Sequence, residues 1–209
     1  MKLNIVLLTA SLGLAATPGA WAQGVLSDNL ANASAGRSMV LDTSWAAAKF
    51  TTDGQAYNFR SAVLLMSGIQ GSGSSAQVDI YSDTGANKPG AAIATLVAPG
   101  SYPPSLTPTT YTSPGVPLAA NSSFWVVLKA PTGGLTWSYT ENPSGTGPGF
   151  APDWSQSLDA GSTWSTSLFP PYQMQVNVEV VPEPCSWAIL VLGLAGYAVR
   201  RPQAKARVA

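Results

Sequence analysis

The chain has 209 residues, of which only 10% are charged; ten basic side chains balance ten acidic ones, and histidine is absent. That charged fraction, against roughly 25% in ordinary soluble domains, and the lack of an internal basic cluster argue against a nucleic-acid partner. Zero histidine removes the commonest metal ligand and the commonest general base. An apolar fraction of 45% is enough to build a core, so wholesale disorder is not expected, and the length allows one ordinary domain plus short targeting segments.

Met1 and Lys2 open the chain with a short positive stretch, and residues 3–16 are almost wholly apolar. Pro18, Gly19 and then Ala20-Trp21-Ala22 follow. Small residues at Ala20 and Ala22 around a bulky Trp21 match the A-x-A rule for signal peptidase, so residues 1–22 are expected to be a signal peptide cut after Ala22. A buried N-terminal helix fits the leading charge and small-residue exit less well. The lipoprotein route needs a cysteine at the cut, and none stands there.

Residues 23–181 read as one all-β domain. Five basic side chains against nine acidic ones give it a net charge of −4, which favours solubility and repels polyanions. Apolar residues recur at period two in residues 77–81, 135–140 and, most cleanly, 173–180, where Met174, Val176, Val178 and Val180 share one face and Gln175, Asn177 and Glu179 the other. Residues 62–66 and 124–128 are continuous apolar runs, as in central strands covered on both faces; residues 92–97 are a further candidate. Turn signals separate these runs, among them Asp53-Gly54, Pro99-Gly100, Pro103-Pro104, Pro114-Gly115 and Gly133-Gly134. Seven to ten short strands so punctuated predict an antiparallel β-sandwich or jelly-roll-like fold. No helical periodicity and no internal repeat stand out in this part.

Candidate chemistry is sparse. A Ser-His-Asp or Cys-His arrangement is impossible without histidine, and no glycine-rich nucleotide pattern follows a strand and opens a helix. Asp153 and Asp159, near Trp154 and Trp164, are the only suggestive carboxylate grouping, and both read first as turn formers. The chain is therefore expected to have no enzymatic activity, no catalytic residues, no cofactor and no metal site. Asp79, Asp83 and Asn87 offer oxygens to calcium but lack EF-hand spacing and read first as a turn. Trp137, Tyr139, Trp154, Trp164 and Tyr172 concentrate in the last third. Trp137, Trp154 and Trp164 are the candidates for stacking on sugar rings, as against filling the sandwich core or anchoring its loop ends.

A wider pattern joins these segments: Phe50-Thr51-Thr52-Asp53-Gly54-Gln55-Ala56-Tyr57, Val78-Asp79-Ile80-Tyr81-Ser82-Asp83-Thr84-Gly85, Pro89-Gly90 to Leu96, Leu118-Ala119-Ala120-Asn121-Ser122-Ser123-Phe124-Trp125-Val126-Val127-Leu128, Trp137 and Asp159-Ala160-Gly161-Ser162-Thr163-Trp164. Over about residues 35 to 180 it resembles the choice-of-anchor R domain. The resemblance implies an exported protein whose C-terminal anchor varies among members; it brings no activity and no catalytic residues.

The C-terminal segment, residues 182–209, holds a second apolar block at 186–199, followed by Arg200, Arg201, Lys205 and Arg207. Fourteen helical residues span about 21 Å at 1.5 Å each, short of the ~30 Å hydrocarbon core, so local thinning and snorkelling arginines are needed to seat this single transmembrane-type helix. The basic cluster predicts that its end stays cytoplasmic and that the preceding domain faces outward. Just before the block stands Pro182-Glu183-Pro184, with Cys185 next, Trp187 three residues on, Gly193-Leu194 within the block and Arg200-Arg201 after it. Residues 182–201 resemble the PEP-CTERM sorting signal. That resemblance implies an exported protein of a Gram-negative bacterium, recognised and cleaved by an exosortase, a membrane-embedded cysteine transpeptidase. Pro182, Glu183, Pro184, Trp187, Arg200 and Arg201 are then the recognition residues. Two prolines keep the segment extended and outside the helix, and Trp187 suits the membrane interface. Cys185 is the sole cysteine, so no intrachain disulfide forms; a free thiol, an intermolecular bridge or acylation stays open.

The expectation is an exported surface or extracellular-matrix protein with a structural or adhesive role associated with exopolysaccharide; the alternative is a carbohydrate-binding module. Its expected partners are signal peptidase, exosortase, exopolysaccharide and, through the C-terminal helix before processing, the inner membrane. Its expected destination is the outer surface or extracellular matrix.

Overall fold

An apolar-polar alternation needs a sheet with one face buried, and a run apolar on both sides needs cover on both faces. The computed structural model meets both demands with strands alone: over the residues it describes (23–68, 75–168 and 170–181) there is no helix. The expected signal peptide and the sorting segment from Pro182 onward lie outside the described residues.

Twelve strands follow in chain order: β1 (Gln23–Asp28), β2 (Gly36–Val40), β3 (Trp45–Thr51), β4 (Tyr57–Gly68), β5 (Ser75–Asp83), β6 (Pro89–Thr95), β7 (Thr107–Leu118), β8 (Ser123–Thr132), β9 (Leu135–Tyr139), β10 (Phe150–Ser157), β11 (Ser165–Ser167) and β12 (Met174–Val180). The count exceeds the seven to ten expected: β1, β2, β3, β10 and β11 fall on segments not singled out as strands, and β7 runs through prolines that read as turns. All pairings between these strands are antiparallel. One six-stranded sheet has the order β1-β12-β4-β9-β2, with β7 also on β4; the other runs β11-β10-β3-β8-β5-β6. Met66 of β4 pairs with both Thr107 and Trp137. β9 therefore lies on the edge of β4 opposite β7, in line with β12. The first and last strands are neighbours, Gln23 standing opposite Glu179.

The core lies between the sheets. Phe50 and Phe124 from one sheet stack at 5.6 Å, and Phe59 from the other packs on Phe50 at 6.3 Å. Met174, Val176 and Val178 point inward from β12 as their alternation requires, while Val180 is half-buried against the same core. The two sheets are also stitched through a loop. The Gly149 N–H donates to the Leu26 carbonyl of β1, and its own carbonyl accepts from the Thr51 N–H of β3. A Cβ at Gly149 would stand 2.0 Å from the Thr51 carbonyl oxygen and 2.8 Å from Leu26 Cγ, so only glycine allows this approach.

Candidate functional site on the outer face of the second sheet

Alternation along β8 sends Phe124, Val126 and Leu128 into the core and Trp125, Val127 and Lys129 to the opposite face. Register then fixes their neighbours: Trp125 stands between Lys49 of β3 and Tyr81 of β5, and Val127 between Ala47 and Asp79. Ser155 of β10 extends the second row beyond Ala47. This outer face is not bare. Ala47, Trp125 and Val127 are fully buried, covered by the half-buried rings of Trp45 and Trp164, whose centroids are 6.4 Å apart.

Trp164 is presented by the turn between β10 and β11, and Asp159 holds that turn. Its carboxylate accepts from the Thr163 N–H at 2.8 Å, the Thr163 hydroxyl at 2.6 Å and the Ser157 hydroxyl at 2.8 Å. The hydrogen bond from the Thr163 side chain, then that from its backbone, then that from Ser157, hold the Asp159 carboxyl below its ordinary value. Gly161, at φ 86°, lies so close under Trp45 that a Cβ would meet its ring at 2.5 Å.

Two polar clusters flank the aromatic pair. At one end the Lys129 ammonium sits 2.5 Å from Asp79 Oδ2, 4.3 Å over the Trp45 ring and 5.2 Å over that of Tyr81. Asp79 also accepts from Gln77 Nε2. Burial pulls the Lys129 pKa down, but hydrogen bonds with Asp79 and Tyr81 and their charges together outweigh it, and the net shift is upward. At the other end Trp125 Nε1 donates to Asp83 Oδ2 at 2.8 Å, Lys49 Nζ to Asn87 Oδ1 at 2.6 Å, and Asn87 Nδ2 to Asp153 Oδ1 at 2.7 Å. Asn87 takes the left-handed conformation, φ 57°, that asparagine tolerates in turns. Between this turn and β11 runs an open groove of about 480 Å³, lined by Asn87, Lys88, Trp164, Thr166 and Leu168 among others.

The three tryptophans singled out from sequence separate. Trp137 is fully buried, stacked on Tyr172 at 4.7 Å, with Nε1 donating to the Gln173 carbonyl. Trp154 is half-buried on the core side and meets Tyr172 edge-on at 5.5 Å. Trp164 alone of the three stands on the outer face. Trp45, which sequence reading passed over, is its partner there; a tryptophan followed by three alanines carries no alternation to mark its face. Asp153 and Asp159 have separate partners: the first accepts from Asn87, the second holds the turn through Thr163. Asp83 spends one oxygen on Trp125 and the other on the Gly85 N–H. Among the described residues, no three His, Cys, Asp or Glu side chains are grouped to hold a metal ion. Ala20, Ala22, Pro182, Glu183, Pro184, Cys185, Trp187, Arg200 and Arg201 lie outside the described residues.

No family model matches this chain, and no curated protein matches it either.

Proposed function

We propose that this chain is an exported β-sandwich protein, delivered by an exosortase-type system to the outer surface or matrix of a Gram-negative cell, where it has a structural or adhesive role associated with exopolysaccharide. The observation that carries the reading is the order Pro182-Glu183-Pro184, Trp187, apolar block, Arg200-Arg201 at one end, matched by a signal-peptide pattern at the other. Prolines that cannot join the helix leave an extended stretch above the bilayer for a protease to grip, and the arginines hold the far end in the cytoplasm. Signal peptidase, exosortase and the inner membrane are the partners this requires; no catalytic group or cofactor is assigned to the chain itself. The supporting fold is an all-β body without a helix among the described residues. A fractionation blot comparing wild type with a Pro182→Ala, Glu183→Ala, Pro184→Ala variant tests the reading. The wild type is expected in the outer fraction at reduced size and the variant uncut in the inner membrane; identical size and location for both would overturn it.

A second reading, a carbohydrate-binding module, is favoured by the half-buried Trp164, which lines an open groove together with Asn87, Lys88 and Thr166. A ring for stacking with donors and acceptors alongside suits a sugar. On a glycan array, binding that disappears in Trp164→Ala supports it; no binding, or binding unchanged by that substitution, removes it.

A further inference from the structure

A lysine and an asparagine held side chain to side chain need only lose ammonia to become a covalent amide, and one such pair stands in this sandwich. Lys49 of β3, Asn87 of the turn between β5 and β6, and Asp153 of β10 meet on the second sheet, all three half-buried. Lys49 Nζ donates to Asn87 Oδ1 at 2.6 Å, and Asn87 Nδ2 donates to Asp153 Oδ1 at 2.7 Å. A cation at one end and a carboxylate at the other leave the amide a single orientation, carbonyl toward the lysine and nitrogen toward the aspartate. With a C=O bond of about 1.23 Å, Asn87 Cγ lies no more than about 3.8 Å from the lysine nitrogen. Reacting atoms in a near-attack arrangement stand roughly 3–3.5 Å apart.

The backbone is shaped to make that contact. β10 shifts register against β3 between Phe150 and Trp154, so residues 151–153 answer the single Lys49, and a bulge of this kind re-aims side chains. Asn87 holds φ 57° in a turn closed by the Thr84 N–H on the Lys88 carbonyl. In register, Trp125 of β8 lies between Lys49 and Tyr81, so this turn reaches back across β8 to meet β3. Lys129 on the same face offers a contrast: it meets the Asp79 carboxylate, which resists a nucleophile, whereas Lys49 meets a neutral amide with a nitrogen able to leave. We propose that Lys49 and Asn87 join in an intramolecular isopeptide bond, with Asp153 as the proton carrier. Lys49 gives up a proton, and its Nζ lone pair attacks Asn87 Cγ, pushing the carbonyl electrons onto Oδ1. The carbonyl re-forms as the Cγ–Nδ2 bond breaks, and Asp153 relays a proton to Nδ2. The lysine ammonium holds two protons more than the amide product; both leave on the departing nitrogen as an ammonium ion, so atoms and charge balance with no oxidant or cofactor. The bond links positions 38 residues apart, a brace that one cysteine alone cannot supply within the chain. It needs only the folded body and is independent of the export reading.

The test uses the full chain in detergent, with circular dichroism to establish that each sample is folded, followed by trypsin and mass spectrometry. Trypsin does not cut after an acylated lysine or before Pro89, so the wild type is expected to yield residues 38–60 joined to residues 61–129, lighter than the two together by one ammonia. Lys49→Arg keeps the charge and the donor, but its guanidinium does not deprotonate; it is expected to give separate peptides and a lower melting temperature. Asp153→Asn keeps both reacting groups and is expected to leave most of the chain unlinked. Lys88→Arg, next to Asn87, is expected to stay linked. A folded wild type that yields separate peptides, or a linkage that survives Lys49→Arg, overturns the proposal, and a linkage undiminished in folded Asp153→Asn overturns the role of Asp153.

Discussion

Replacing Lys129 by methionine keeps the apolar stem that lies under Trp45 and removes only the ammonium. The Asp79 side chain, 2% exposed, then keeps Gln77 as its one side-chain donor. Breaking a buried ion pair from one side costs about 3–5 kcal/mol, and losing the cation from over the Trp45 and Tyr81 rings adds roughly 0.5–2 kcal/mol. Asp79→Asn removes the other charge but leaves Lys129 over its two rings, so a smaller loss, about 1–3 kcal/mol, is expected. The double variant leaves no charge unpaired, and its loss is expected to fall short of the sum of the singles by about 0.5–3 kcal/mol. Urea unfolding of the four proteins, read as midpoint and slope, measures the cycle. Lys129→Met within about 0.5 kcal/mol of wild type, or strictly additive losses, would refute the reasoning. Because the Lys129 pKa is raised in the folded state, the pair's contribution is complete below about pH 10.4, the ordinary lysine value, and is lost as pH climbs through the folded one.

Trp137→Ala empties a fully buried site stacked on Tyr172 and is expected to cost about 3–5 kcal/mol in urea unfolding; a loss under half that would place the ring outside the core. Gly149→Ala drives a methyl into the Thr51 carbonyl and Leu26, with an expected loss of about 1–3 kcal/mol by thermal or urea unfolding; a neutral result would mean the stitch between the sheets is slack. Burial first, then the hydrogen bond to Asp53 and its charge, push Tyr57 up to about 12. Burial, reinforced by Tyr139, does the same for Tyr172, also to about 12. Unfolded tyrosines ionise near pH 10, so the stability held by these neutral phenols is full below about pH 10 and falls as pH rises toward 12. With no histidine in the chain, stability is expected to be flat between about pH 6 and 9. Denaturation midpoints from about pH 6 to 12 test both statements: a midpoint that rises between about pH 10 and 12 would refute the first, and a slope between about pH 6 and 9 the second.

Strands with one buried face were legible because their alternation is an energetic requirement. β12 falls on the segment read as residues 173–180, and β9 on 135–140. The apolar run 124–128 proved to be a strand buried on both faces, its inward side by the core and its outward side by Trp45, Trp164 and their neighbours. β7 was hidden by its prolines. Pro114-Gly115 reads as a turn, yet it falls where β7 bulges. Phe59 pairs with Val116 and Ser61 with Thr112, so the intervening residues arch out over Arg60, whose guanidinium donates to the Pro114 carbonyl. An edge strand spends few N–H groups on its single neighbour, which is why proline survives there. The outer-face site was only half legible. Trp164 was visible as a tryptophan in a turn held by Asp159, whereas Trp45, Trp125 and Tyr81 join it through pairings between strands far apart in the chain. Composition likewise cannot tell the buried Trp137 from the half-buried Trp164, because only register decides which side of a sheet a ring occupies.

The pairing of β1 with β12 has a consequence for the proposed export route, on which the chain would cross a membrane in order, front end leading. Gln23 and Glu179 face each other, so the polypeptide enters and leaves the sandwich side by side, about one strand spacing, 4.8 Å, apart. The earliest segment delivered must wait for the latest before it finds its neighbour, and such a distant closure is slow. The body cannot be finished until almost everything upstream of the tail has been threaded through. A lipid layer gripping either terminus would hold the sandwich by the same pole.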